Sequence, residues 1–65
     1  MMTDSERSQL AEAVRNECVR AALTAYEAAR VDGLCDEGAF EVAIDAIRGL
    51  DVNALGANQA GERRA

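Results

Sequence analysis

Histidine, lysine, proline and tryptophan are all missing from this 65-residue chain, and it holds only one Tyr and one Phe. Each absence removes a class of function or structure. Without His there is no side chain that ordinarily titrates near neutral pH, and without Lys there is no Schiff-base amine. Without Pro nothing interrupts a long helix from within. The two cysteines lack a histidine to complete a familiar zinc set. No apolar run approaches the roughly 20 residues that cross a bilayer. The formal net charge of −5 disfavours bare nucleic acid and anionic membranes, both of which select cationic faces.

What is present favours helix. About a fifth of the residues are Ala, the strongest helix former. Thr3 followed by Glu6 fits a capping box, in which each side chain satisfies the other's backbone amide. Asp4 and Glu6 also suit the positive end of the helix dipole. From there to about Val31 no residue stops a helix. Glu12 with Arg15, Glu17 with Arg20 and Glu27 with Arg30 are opposite charges three residues apart, a spacing that adds a few tenths of a kcal/mol per pair. The polar, acidic first residues are the opposite of a signal peptide, so a cytoplasmic, reducing setting is the expectation.

Leu10, Val14, Cys18, Ala21, Ala25 and Ala28 fall on one helical stripe. Its small residues admit a second helix at close range. Val19, Leu23 and Tyr26 form another group, roughly 120–170° around the axis, with Ala22 and Ala29 between. One short partner helix cannot cover so wide an arc. These three are therefore expected to bind a partner, with Val52 and Leu55 as a second contact.

The corner is Gly33, Leu34, Cys35, Asp36 and Gly38. Gly33 is the natural residue to end the first helix, because it takes a left-handed conformation without a Cβ clash. Asp36 is expected to cap the second helix. Gly38 is unfavourable in a helix and suggests a close approach to the first arm. The second helix is predicted over 37–48, with Phe40, Ala43, Ile44 and Ile47 inward and Val42 and Ala46 widening that face. Gly49 ends it, Leu50 makes the hydrophobic contact that often follows such a stop, and Asp51 caps a last short turn through Leu55. Residues 1–56 make the domain, and 57–65 read as a flexible tail.

Chemistry has few places to reside. Glu41 and Asp45 share a helical face, but an acid–base pair needs a cleft that a small hairpin hardly provides. Cys18 and Cys35 are separated by about 13 helical residues, or roughly 20 Å at 1.5 Å per residue. That is far beyond the ~5.5 Å between the Cα atoms of a disulfide. Cys18 reads as a small apolar packing residue and Cys35 as the more accessible thiol, with a redox or metal role as its less favoured reading. The Ala29 to Gly33-Leu34 corner also fits a loose helix-turn-helix pattern. Its second helix would read DNA with Asp36, Glu37, Glu41 and Asp45 against Arg48 alone, which is the wrong sign.

The run from Gly33 to Arg48, followed by Gly49-Leu50-Asp51 and preceded by Ala25-Tyr26-Glu27-Ala28-Ala29, resembles a group of short uncharacterised bacterial helical proteins with a Gly-Leu-Cys-x-Glu-Gly core. The resemblance spans about half of the chain and implies no activity, cofactor or partner. The expected architecture is all-α: a long helix, a Gly corner and a short helix, paired as a homodimer into a four-helix arrangement. The expected role is non-enzymatic, without metal or cofactor: a protein-interaction module serving as an accessory or regulatory subunit. The alternative is an acidic inhibitor, antitoxin-like, that occludes a basic site on its partner.

Overall fold

The computed structural model describes residues 2–55. They form two helices and the corner between them, α1 (Asp4–Val31) and α2 (Asp36–Arg48), followed by a single helical turn over 52–55. No strand occurs among the described residues. The fold is all-α, a long arm followed by a shorter one. The proposed tail, 57–65, lies outside the described residues.

The start of α1 follows its local chemistry. The Glu6 amide donates to Thr3 Oγ1 at 3.1 Å, and the Thr3 amide donates to Glu6 Oε1 at 3.0 Å. The capping box is thus closed, and two amides that a helix start leaves unpaired are satisfied. Along the exposed side, Asp4–Arg7 (3.7 Å), Glu12–Arg15 (3.3 Å) and Glu17–Arg20 (2.6 Å) pair three residues apart.

The corner is a Schellman stop. The Leu34 amide donates back to the Ala29 carbonyl, and the Gly33 amide to that of Arg30, both at 3.0 Å. This pattern needs a left-handed residue after the cap, and Gly33 sits at φ 101°. Arg30 does not pair with Glu27 as the spacing suggests. Its guanidinium donates to the Leu34 carbonyl (3.1 Å) and pairs with Asp36 (3.0 Å), so it braces the corner. A carbonyl and a carboxylate held side by side are a better target than one mobile glutamate on the same helix.

One further expectation is corrected here. Cys35, not Asp36, is the N-cap of α2, and its side chain makes no capping bond. Asp36 instead opens the helix, where its carboxylate accepts from Tyr26 Oη at 3.2 Å and meets Arg30. Gly38 is half-buried, and space alone does not demand glycine there. The nearest atoms that a Cβ there would meet belong to the Leu34 side chain, at 3.5–3.8 Å, an ordinary contact. Gly49 ends α2 in a right-handed conformation, φ −84°. Asp51 Oδ1 then accepts from the Ala54 amide at 3.0 Å and caps the last turn, as its position suggests.

The seam between the arms is built from alanine. Ala39 is fully buried (0% exposed), and Ala29 and Ala43 nearly so. Cys18, Ala22 and Ala25 flank this seam on α1 and Ala46 on α2, all half-buried. Small side chains let two helix axes approach closely. The register differs from the predicted one on both arms. On α1, Ala28 is exposed and Ala29 takes its place. On α2, Phe40 is 60% exposed, and the unpredicted Ala39 lies innermost. Close axes leave no room between them for a phenyl ring, so it is displaced to the flank.

The molecule measures 46 × 20 × 13 Å. At 1.5 Å per residue the 28 residues of α1 span about 42 Å and the 13 of α2 about 20 Å. The second arm therefore accompanies only the corner-proximal half of the first.

Candidate interaction surface

With alanine inside, the large apolar residues are left at the surface. Val31 (85%), Phe40 (60%), Leu23 (57%) and Val19 (52%) are more than half exposed, and Val52, Leu34, Val42 and Ile47 are exposed to lesser degrees. No large side chain is fully buried among the described residues. A soluble monomer ordinarily hides at least part of such a set.

Four of them, Val19, Leu23, Phe40 and Ile47, are turned to one side. On α1, Val19 and Leu23 lie about 90–130° around the axis from the Cys18–Ala22–Ala25–Ala29 line, and Tyr26 and Arg30 are turned the same way. On α2, Phe40, Ile44 and Ile47 lie about 70–130° from the Ala39–Ala43–Ala46 line, and Asp36 is turned the same way. The Tyr26–Asp36 hydrogen bond and the Arg30–Asp36 ion pair tie those two flanks together. Val19, Leu23, Phe40, Ile44 and Ile47 therefore share one broad side of the hairpin, with Tyr26 at its centre line.

The predicted contact residues separate into grades. Val19 and Leu23 are open on this side. Tyr26 is half-buried, its hydroxyl engaged by Asp36, so it supports the corner as much as it presents a surface. Val52 is exposed and Leu55 half-buried. Phe40 and Ile47, which the sequence places inward, are exposed members of this group, while Ile44 is half-buried. Applying to α2 the small-residue reasoning used on α1 would have found them, because Ala39, Ala43 and Ala46 recur at helical spacing.

Beside this group lies an open depression of about 410 Å³, lined by Phe40, Glu41, Ile44, Asp45 and Arg48. Asp45 is already paired with Arg48 at 3.0 Å, and both are well exposed. Such a pair is worth little to stability in water. No cluster of three or more metal-ligating side chains occurs among the described residues. Cys18 and Cys35 are free thiols, the first half-buried in the seam's flank and the second exposed at the corner. The clearest electrostatic perturbation is away from this surface. The Arg20 guanidinium, hydrogen-bonded to Glu17, holds that carboxyl below its ordinary range, and Arg20 is raised in return.

No described helix is long and apolar enough to cross a membrane. The chain matches no protein-family model, no curated protein and no solved structure.

Proposed function

We propose that this chain is a small non-enzymatic protein-interaction module, an accessory or regulatory subunit that works as a homodimer in a reducing, cytoplasmic setting. The observation that carries the reading is the inversion of its packing. Alanines occupy the seam, while Val19, Leu23 and Phe40 stand more than half exposed. Burying such side chains on a partner contributes on the order of 1.5–3 kcal/mol for each one fully covered. A hairpin whose buried residues, among those described, are three alanines has little other reason to keep them.

A second reading draws on α2. Asp36, Glu37, Glu41 and Asp45 are all exposed, and an acidic helix can occlude a basic site. Capture from a native extract under rising salt separates the two. Apolar docking persists at about 0.5 M salt and weakens with Leu23→Ser, whereas charge-driven capture collapses as the Debye length shrinks. A folded chain that retains nothing at any salt concentration overturns both.

A further inference from the structure

We propose that the side carrying Val19, Leu23, Phe40, Ile44 and Ile47 takes an amphipathic helix of a different protein, one whose apolar stripe is bordered by lysine or arginine. This rests on the interaction reading above and names the chemistry of the partner for that surface, so any pairing of two copies falls on another face.

The charges select a cationic occupant. All five arginines among the described residues already pair with a carboxylate of their own chain. Four exposed acids, Glu27, Asp32, Glu37 and Glu41, have no such partner among the described residues. Three of the four border the apolar side. At about 100° per residue, Glu27 lies roughly 40° beyond Leu23 on α1, and Glu37 and Glu41 lie roughly 20° and 60° beyond Ile44 on α2. Unpaired carboxylates therefore stand on both edges of an apolar strip. Glu41 also lines the open depression with Phe40 and Ile44, so a cation can reach its carboxylate there while an apolar neighbour covers the ring.

The shape selects a helix. Two helices packed as a hairpin leave a trough along each side of their seam, and a third helix lies in such a trough by the same packing of ridges into grooves. The trough follows α2, 13 residues and about 20 Å long, so a partner helix of roughly four turns fills it. Other occupants fail on their chemistry. A twofold contact presents the same patch twice, so a second copy would set unpaired glutamates against their own equivalents, with every described arginine already engaged. The last residues of the chain, 57–65, include Arg63 and Arg64 but no apolar side chain larger than Ala, too little to fill the strip.

Two synthetic helical peptides of about 14 residues test this against the full chain. Both carry Leu and one Trp on the apolar stripe, bordered by Lys in one and by Glu in the other. The chain has no Trp, so peptide fluorescence reports binding alone. The lysine peptide is expected to bind at least about thirtyfold more tightly than the glutamate peptide at about 0.1 M salt. Glu37→Gln combined with Glu41→Gln weakens it about tenfold and Leu23→Ser about as much, while Asp32→Asn, turned away from the strip, changes it less than about twofold. All four side chains are exposed, and circular dichroism checks that each variant stays helical. Equal affinity for the two peptides overturns the proposal, as does binding of neither. Asp32→Asn costing as much as the glutamate pair reduces the effect to bulk charge and overturns the site. A dimer in sedimentation that Leu23→Ser dissolves gives this side to a second copy and overturns the proposal too. Capture from a native extract that Leu23→Ser abolishes, by a chain blind to the lysine peptide, leaves the interaction module standing and removes only its cationic partner.

Discussion

The two halves of α1 are held by different physics. From Ala22 to Val31 it is packed: Ala29 is buried against α2, and the Schellman stop, the Tyr26–Asp36 bond and Arg30 fasten it to the corner. From Asp4 to Glu17 it lies beyond the roughly 20 Å that α2 can cover. There the visible supports are local: the capping box and ion pairs one turn apart. Leu10, Ala13 and Val14 are half-buried in this stretch, as are Leu50 and Leu55 in the segment after α2. Isolated helices of 12–15 residues are marginal in water. The free half therefore depends on its end cap and on continuity with the packed half.

That contrast can be broken from the packed side. Ala39→Leu inserts three heavy atoms at a position with no exposure, and it should cost about 2–3 kcal/mol through overpacking. Thermal unfolding followed by circular dichroism reads the loss, and an unchanged midpoint would remove the alanine seam as the organising contact. Two glycines should then move stability in opposite directions. Gly33→Ala puts a Cβ at φ 101° and should destabilise by about 1–2 kcal/mol. Gly38→Ala has the Leu34 side chain as its nearest neighbour, at ordinary contact distance, and should stabilise by up to about 1 kcal/mol. If both lower the melting midpoint, the Gly38 geometry is wrong.

The free half gives smaller, more local effects. Thr3→Ala removes one half of the capping box and should cost about 1 kcal/mol. Amide exchange sharpens the distinction: the first two turns of α1 should lose protection while Ala29 and Leu34 keep theirs. Equal loss at both ends would mean that α1 is one cooperative unit. The Glu17–Arg20 pair gives the smallest effect. Glu17 titrates below its ordinary value, so its contribution is complete above about pH 4.5 and lost as pH falls through the lower, folded value. The acid limb of a melting curve for Glu17→Gln should accordingly be flatter than that of the parent chain.

Local features were legible in the sequence, and seam register was not. Thr3 with Glu6, Gly33 and Asp51 act within three or four residues of themselves, so spacing alone identifies them. Arg30 turned from Glu27 to Asp36 because the fold brings a better partner from across the corner. The rule that large apolar residues fill cores places Phe40 inside. The rule fails when the axes lie too close for anything beyond a methyl group. Val19 and Leu23 were legible as surplus to one short partner helix. Their alliance with Phe40, Ile44 and Ile47 depends on how the arms are rotated about one another, which no single helical stripe encodes.

Alanine at the seam also limits how the protein can change. Ala29, Ala39 and Ala43 can shrink only to glycine, which loosens the helix, and can grow only by prising the arms apart. Substitutions that retune what the protein docks against must therefore accumulate on its outer flanks. There Leu23 or Phe40 can be exchanged without disturbing the joint that holds the arms together.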